Sequence, residues 1–383
     1  MRIGICSWWF NRGQAVVGRY LRSALEELGH ETFVLARPTR GGNIRPSFID
    51  RTGVWDQPGV TEASSYEIPV QEYEDWVEAI APEIVFFDQN YQFAEIATVR
   101  RMGVKTVGRF VWEAFAPADV PPATDAFDLI YSLTECEHRR YRELGIDSPK
   151  IDWGCHPELL SYAKDHPATN PPGAEAAAAQ AGGNVVFIYP GGFMSKRKPF
   201  EAVIEAFSRV RDPRLRLTFK AQVERRVRKV GRMVKRDPRI EVIWEDLPTS
   251  AYLRLFAGSD VCLAPSRWEG LGLHLYEATA FGMPIITNDN PPMNEVVTDG
   301  ANGLLVRGIE SGTTKSGIAA YEPDVDGLAA AIERLADDAL RADLSRGALE
   351  LRERLSWDRT VRGYARLIDE VAARSRAGAG RAV

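Results

Sequence analysis

Short apolar runs alternate with segments of helical periodicity along the first part of the chain. RIGICSWWF (2–10) predicts a strand, apolar positions at helical spacing over 17–28 predict a helix that Gly29 ends, and TFVLA (32–36) predicts another strand. This order forms a right-handed crossover unit and implies a parallel sheet. The pattern continues in three runs short and apolar enough to be strands buried on both faces: EIVFFDQ, KTVGRFVWEAF and DLIYSL.

The alternation stops at a segment rich in Pro, Gly and Ala and then begins again. We predict a linker over 166–183, because its Pro-Pro-Gly sequence breaks regular structure. A second series of strands and helices follows from NVVFIYPGG at 184. The sequence therefore predicts two Rossmann-like, doubly wound α/β domains at 1–165 and 184–356. We predict a final helix over about 357–376 and expect it to pack back on the first domain.

Composition and charge narrow the class of protein. The chain has 383 residues, 45% hydrophobic and 26% charged, with a formal charge of -5. These values are typical of a globular protein and give no overall attraction to nucleic acid, so we expect no nucleic-acid partner. The four cysteines form no metal-ligand spacing, and no apolar run has the length of a membrane span. We therefore expect a reduced, cytoplasmic protein; the sequence does not specify an oligomeric state.

Loops at the carboxyl ends of parallel strands are where such sheets bind ligands, and the loop after NVVFIYPGG is strongly basic. Gly192 ends the predicted strand, and Lys196, Arg197 and Lys198 precede a helix whose dipole is already positive at that end. Cations and free backbone N–H groups together suit a phosphate or diphosphate. The alternative is a solvated basic turn with no ligand.

The loop after the strand DVCLAPS places two carboxylates among apolar residues. Glu269 lies in the loop and Glu277 inside the helix that follows, with Gly270 and Gly272 between them. The glycines allow a ligand to approach backbone amides, and carboxylates can accept hydrogen bonds from ligand hydroxyls. The alternative is that Glu269 pairs with Arg267, and Glu277 with another arginine.

Two segments resemble a known family. PSRWEGLGLHLYEATAFGMPIITNDNPPMNEVVTDGANGLLV (265–306) is similar to the donor-site signature of the retaining glycosyltransferases of family 4, and GGFMSKRKPFEAVIEAF (191–207) to their other donor motif. The resemblance extends to LSWDRTVRGYARLIDE and is sharpest in the C-terminal half. It implies the GT-B fold, in which two Rossmann-like domains face a central cleft, and a nucleoside-diphosphate sugar as donor.

The resemblance also implies roles for individual residues. Lys198 and Arg197 would neutralise the diphosphate, Glu269 would hold sugar hydroxyls, Glu277 would bind the ribose and Glu295 would support the pocket, so the ligand itself would be the partner of the two buried carboxylates. The loop and helix-start residues that would surround the sugar are Gly270, Leu271, Gly272 and Leu273. Trp244 is a candidate for stacking on the nucleobase.

On the acceptor side, Gly13 in the first loop allows close backbone approach, and Glu113 takes the place of a histidine common in the family. Phe193 stands where many members have arginine, and His274, which we expect to be structural, where many have proline. Several aromatic side chains could stack on an acceptor or simply pack in the core: Trp8, Trp9, Phe10, Tyr91, Phe93 and Trp112.

The implied function is transfer of a hexose-type sugar, with retention of anomeric configuration, to a carbohydrate, lipid-linked or small-molecule acceptor. No cofactor or metal is expected, because cations stabilise the departing diphosphate and because Asp324, before Asp326, suits a helix cap better than a metal site. The alternatives are a sugar-nucleotide epimerase and a non-catalytic nucleotide-sugar-binding protein. A basic helix over 223–239 leaves open peripheral contact with anionic lipid, a solvated face being the other interpretation.

Overall fold

Two six-stranded parallel sheets organise the chain, one in each of two compact units. The computed structural model describes residues 1–10, 13–39, 53–166, 183–223 and 226–379, with side chains described up to 374. The first unit is Met1–Trp153 with the C-terminal segment from Asp358, and the second is Gly154–Trp357.

The first sheet has the strand order β3-β2-β1-β4-β5-β6. Its central strand β1 pairs in parallel with β2, where Arg2 lies opposite Glu31, and with β4, where Ile3 lies opposite Ile84. Burial on both faces explains the near-continuous apolar runs of these strands. The strands are β1 (Arg2–Trp8), β2 (Glu31–Arg37), β3 (Val60–Glu62), β4 (Ile84–Asp88), β5 (Lys105–Arg109) and β6 (Leu129–Ile130). The helices are α1 (Gly13–Glu27), α2 (Val70–Ile80), α3 (Phe93–Arg101), α4 (Val120–Ala126) and α5 (Glu135–Glu143).

The second sheet repeats this topology with the order β12-β11-β10-β7-β8-β9. In both units the chain starts at a middle strand, builds outward to one side, and then crosses to the other, which is the Rossmann arrangement. The strands are β7 (Val185–Gly192), β8 (Leu215–Ala221), β9 (Ile240–Ile243), β10 (Val261–Leu263), β11 (Ile285–Asn288) and β12 (Gly303–Val306), followed by an antiparallel pair, β13 (Gly308–Thr313) and β14 (Ala319–Pro323).

The helices of the second unit alternate with the strands of its sheet and then follow them. Asp324 caps one of them, as predicted, by accepting a hydrogen bond from the Asp326 backbone N–H. The helices are α6 (Pro157–Asp165), α7 (Phe200–Arg209), α8 (Arg228–Val234), α9 (Thr249–Ala257), α10 (Leu273–Ala280), α11 (Met293–Val296), α12 (Val325–Arg334) and α13 (Asp338–Arg354).

Residues 154–165 lie in the second unit, although the sequence placed the domain boundary at 165. The reason is that α6 is tied to the second unit, where the Tyr162 hydroxyl donates a 3.0 Å hydrogen bond to the Ser250 carbonyl oxygen. The predicted linker at 166–183 lies outside the described residues except for its two end residues.

The last helix, α14 (Trp357–Ala379), contributes its residues from Asp358 onward to the first unit. Its Tyr364 ring is 5.8 Å from the ring of Tyr131 and 6.4 Å from that of Phe86. The Thr360 hydroxyl donates a 2.8 Å hydrogen bond to the Asp152 carbonyl oxygen. Buried aromatic contacts of this kind anchor the end of the chain in the first unit.

The basic segment 223–239 contains a shorter helix than its periodicity predicts. In the described part, α8 covers only Arg228–Val234, and Val230 points into the core. Pro238 disfavours helical geometry at the residue before it, so the helix cannot continue to 239. Among the described helices, none combines the length and hydropathy that a membrane span requires. Lipid contact by this segment stays a prediction.

One glycine marks a close approach in the second unit that can be tested. A Cβ at Gly347 in α13 would lie 2.0 Å from the Ala301 carbonyl oxygen. We expect Gly347→Ala to lower the free energy of unfolding by about 1–3 kcal/mol despite the better helix propensity of alanine. Gly231→Ala in α8, where a Cβ meets nothing within 4 Å, is the control and should raise it by up to about 1 kcal/mol. Equal changes in the free energy of urea unfolding for the two variants would contradict the close approach at Gly347.

Candidate functional site

The two chemically distinctive loops follow β7 and β10, which are neighbours in the second sheet. Val261 pairs with Phe187 in parallel register, so both strands end at the same edge. The chain builds outward from β7 on one side and from β10 on the other, which makes this the topological switch point of the sheet. Ligands of open α/β sheets bind at such a point, outside the carboxyl ends of the strands.

A buried ion cluster connects the two loops. Lys198 Nζ lies 2.6 Å from Glu269 Oε1, and Arg197 Nη1 lies 3.2 Å from Glu269 Oε2. Ser266 Oγ joins them, 2.8 Å from the lysine nitrogen and 2.9 Å from the carboxylate. We refer to these four residues as the ion cluster. Glu269 therefore has cationic partners in the protein, one at each carboxylate oxygen, and they are neither the ligand that the resemblance implied nor the Arg267 of the alternative.

Burial and charge act against each other in the ion cluster. Glu269 is 4% exposed and Lys198 is 6% exposed, whereas the Arg197 side chain is 37% exposed. Burial raises the pKa of the Glu269 carboxyl, but Arg197 and Lys198 outweigh it and hold the pKa well below its usual range. Burial lowers the pKa of Lys198, and Glu269 offsets part of that shift. Two cations beside one carboxylate leave the ionised cluster with one positive charge.

The helix start beside the ion cluster adds backbone donors. Gly272, with φ +77°, is the residue before α10, and a Cβ there would lie 2.9 Å from Leu275 Cδ1. Because the first turn of a helix has N–H groups without intrahelical partners, the segment from Gly270 to Leu273 can present donors to an anion or a hydroxyl. Gly192, at the end of β7, also has a positive φ, of +54°.

His274 lies in the first turn of α10 and is 8% exposed. Burial, followed by the charge of Lys198, lowers its pKa to about 3, so the imidazole is neutral at physiological pH. Within the described residues its Nε2 atom has no hydrogen-bond partner.

The second carboxylate has a different environment. Glu277 is partly buried, and its Oε2 accepts a 2.8 Å hydrogen bond from the Tyr252 hydroxyl on α9. Burial raises the pKa of Glu277 to about 7, and the bond from Tyr252 opposes that shift. The arginine pairings that the sequence left open do not occur in the described residues: Arg267 Nε pairs with Glu322 at 2.6 Å, and Glu277 pairs with no arginine.

The other predicted site residues are not members of the ion cluster. Glu295 is exposed on the short helix α11, and Trp244 is 8% exposed and packs in the core of the second unit. In the first unit, Gly13 starts α1 with φ +37° and Glu113 is partly buried. The rings of Tyr91 and Phe93 pack together at 5.8 Å within that unit, in agreement with the core-packing interpretation.

Ser266 and Tyr252 were missed as site residues. Ser266 belongs to the Pro-Ser pair of the recognised motif, so a role could have been assigned to it. Tyr252 lies in a helix that reads as ordinary amphipathic sequence, and no local signal reveals its contact with Glu277. No group of three or more His, Cys, Asp or Glu side chains in the described ranges is arranged to hold a metal ion.

Comparison with known proteins finds a family model that matches the region of the ion cluster. Residues 176–351 match the model of the glycosyl transferases group 1. This glycosyl transferases group 1 region contains the whole ion cluster and Glu277. The chain is also 33% identical over 117 residues, 30% of its length, to a D-inositol 3-phosphate glycosyltransferase from Acidothermus cellulolyticus, of which the match covers 23%. In eight curated relatives that it matches, the match spans no more than 31% of the relative's length.

Solved structures resemble the chain over nearly its whole length. Sucrose-phosphate synthase from Thermosynechococcus elongatus aligns with a TM-score of 0.72 and 17% identity, covering 97% of this chain and 99% of that one. Anabaena Alr3699/HepE in complex with UDP and glucose aligns with a TM-score of 0.64 and 13% identity, covering 97% and 100%. These likenesses confirm the predicted GT-B fold of two Rossmann-like domains, and at such identities they establish the fold alone.

The ion cluster makes a prediction about stability. Glu269→Gln keeps the shape of the side chain but leaves Lys198 and Arg197 close together without their counter-charge. We expect a loss of about 3–5 kcal/mol in the free energy of unfolding, measured in urea at pH 7. Glu295→Gln, at an exposed position, is the matched control and should change it by less than about 0.5 kcal/mol. A loss no larger than in the control would mean that the cations do not depend on Glu269.

Glu277 makes a prediction about pH. Since its pKa in the folded protein is raised to about 7, the fold favours the neutral carboxyl, and this contribution is lost as pH rises from about 4.5 to 7. Glu277→Gln cannot ionise, so the stability of the variant relative to wild type should increase by about 2 kcal/mol over that window, with allowance for partial exposure. Above pH 7 the difference in stability between variant and wild type should be constant. A flat difference in urea unfolding across pH 4.5–8 would refute the raised pKa.

Proposed function

We propose that the protein is a glycosyltransferase that takes a hexose-type sugar from a nucleoside-diphosphate sugar bound in the second unit. The observation that carries this proposal is the buried ion cluster at the switch point of the second sheet. It combines a net positive charge with the start of a helix, and it lies within the glycosyl transferases group 1 region.

Charge balance supports a diphosphate as the bound group. Lys198 and Arg197 together carry two positive charges, and Glu269 compensates one of them, so an anion adds favourably to what remains. The amides at the start of α10 supply further donors and a positive helix dipole. Arg197 is the more exposed cation and is placed to meet a ligand from the solvent side, whereas Lys198 is held by Ser266 and Glu269.

The carboxylates suit the neutral parts of the donor. Oε1 of Glu269 already accepts hydrogen bonds from Lys198 and Ser266, so Oε2, on the side of Arg197, is the oxygen that we propose to accept from a sugar hydroxyl near the amides of Gly270 to Leu273. Glu277, farther along α10, suits the ribose hydroxyls. Glu295 and Trp244 remain proposed supports of the pocket and the nucleobase. Trp244 must contribute through a ring edge, because its body is in the core.

The chemical step we propose is front-face transfer with retention of anomeric configuration. The bond between the anomeric carbon and the diphosphate oxygen breaks as the acceptor oxygen bonds to the same face, and the departing diphosphate accepts the acceptor's proton. Negative charge grows on the diphosphate in that transition state. Lys198, Arg197 and the α10 amides stabilise it, so we propose that the reaction uses these cations and no divalent metal.

Named relatives support this donor class. One is a D-inositol 3-phosphate glycosyltransferase, and the HepE structure contains UDP and glucose. For the acceptor we propose a carbohydrate, lipid-linked or small molecule, with Gly13 and Glu113 of the first unit on the acceptor side. We place the enzyme in the cytoplasm.

Thermal unfolding with ADP, GDP, CDP, UDP and dTDP tests the donor site. A diphosphate at ~100 times its dissociation constant stabilises the folded protein by about 2.7 kcal/mol, which is a shift of several degrees. We expect at least one nucleotide to give that shift in wild type, and the shift to be lost in Lys198→Ala and reduced in Arg197→Ala. Lys196→Ala, an exposed neighbour in the same loop, should keep it in full.

The matching sugar nucleotides then test the reaction with candidate acceptors. Proton NMR of the product should show the anomeric configuration of the donor. Epimerisation of the donor without an acceptor would show that the protein is a sugar-nucleotide epimerase. Tight binding without any turnover would show that it is a non-catalytic nucleotide-sugar-binding protein. The absence of a shift with every nucleotide in wild type would overturn the donor site.

A further inference from the structure

We propose that Tyr252 is a positioning residue, which fixes the Glu277 carboxylate so that the donor site selects ribonucleoside diphosphates over their 2′-deoxy counterparts. The inference rests on the proposed donor site and concerns a residue outside the recognised motifs. It names the class of nucleotide that the site accepts and the side chain that decides between the two classes.

The tyrosine is held rigidly enough to orient its partner. Its ring centroid is 5.3 Å from that of Phe256 on the same helix, and the Phe256 ring stacks in turn on Phe281 at the end of α10, 6.0 Å away. These contacts join α9 to α10 beside the hydrogen bond from the Tyr252 hydroxyl to Glu277 Oε2. Because Glu277 has three rotatable side-chain bonds, a fixed donor on one oxygen removes most of its freedom.

The contacts of Glu277 leave part of its hydrogen-bond acceptor capacity for a ligand. In the described part of the chain, Tyr252 alone donates a hydrogen bond to Glu277, which leaves Oε1 and one lone pair of Oε2 for other donors. A vicinal diol supplies two O–H donors, which matches the two carboxylate oxygens. A 2′-deoxyribose supplies one, so a partly buried oxygen stays unpaired, and sites built to bind a hydroxyl reject analogues that lack it.

The preference for ribonucleotides should depend on whether Glu277 is protonated. The titratable groups that face it are Tyr252 from α9, Lys198 from the loop before α7, and the Cys262 thiol from β10. A protonated carboxyl accepts hydrogen bonds less well than a carboxylate, so the preference for the diol should grow as pH rises through the titration of Glu277. Since Tyr252 donates to the ionised form, its removal raises the pKa of Glu277 and moves that rise to higher pH.

Isothermal titration calorimetry with matched ligand pairs tests the inference. We would titrate wild type, Tyr252→Phe and Tyr162→Phe with ADP and dADP, GDP and dGDP, CDP and dCDP, and UDP and dUDP at pH 6.5, 7.5 and 8.5. Tyr162→Phe is the control, because the Tyr162 hydroxyl also contacts α9, where it donates to the Ser250 carbonyl oxygen, but it does not contact Glu277.

For the base that binds, wild type should prefer the ribonucleotide by about tenfold or more at pH 7.5. Tyr252→Phe should reduce that preference by about three- to tenfold, with the largest deficit at pH 6.5 and the smallest at pH 8.5. Tyr162→Phe should match wild type at every pH, which excludes a general effect of disturbing α9.

An unchanged preference and pH profile in Tyr252→Phe would overturn the inference. If binding in that case is still lost in Lys198→Ala, the donor site itself stands. Equal affinity of wild type for the two members of each pair would likewise refute the selection but not the site. Binding of dTDP but of no ribonucleoside diphosphate would also refute the selection but not the site. Failure of every diphosphate, dTDP included, to bind wild type would overturn the proposed function, and this inference with it.

Discussion

The neutralisation of Glu269 by Lys198 and Arg197 is the interaction on which the arrangement of the second unit's loops depends. Moving a carboxylate and an ammonium group out of water is expensive, and their attraction repays the cost only when the geometry is close and the remaining polar atoms are satisfied. Here each carboxylate oxygen has its own cation, and Ser266 bonds to both the carboxylate and the lysine. The loops after β7 and β10 are thereby locked to each other, and the cations are held in place before any ligand arrives.

The topology explains why this lock can form. Adjacent parallel strands end at the same edge, and the reversal of strand order between β7 and β10 sends their helices to opposite faces, which leaves the crevice between them open. A charged cluster elsewhere on the sheet would be covered by a crossover helix or would lie in water. At the switch point it is desolvated enough to be strong and remains accessible through Arg197, its most exposed member.

The sequence predicts the fold well, because buried parallel strands and amphipathic helices leave periodic signals and because the motifs around Lys198 and Glu269 are specific. The sequence predicts side-chain contacts between distant residues less well. Glu269 and Lys198 are 71 positions apart in the chain. Their contact arises because the strands before their loops are neighbours in the sheet, and the local sequence does not show this. Tyr252 gives no signal, since a tyrosine in an amphipathic helix is usually a packing residue. The boundary at 165 differed for a related reason: the contact of Tyr162 with Ser250 is a tertiary contact that composition does not encode.

The two carboxylates of the motif look alike in sequence, and the structure gives them opposite electrostatic roles. Glu269 is fixed in its charged form by two cations, so it contributes a permanent charge that organises the site at all physiological pH values. Glu277 has a neutral hydroxyl as its partner, and burial brings its pKa to about 7, so its charge depends on what binds. A group fixed in one state is suited to preorganise a charged centre, whereas a group poised between states can respond to a neutral diol. The division follows from the partners alone: cations for one carboxylate, a tyrosine for the other.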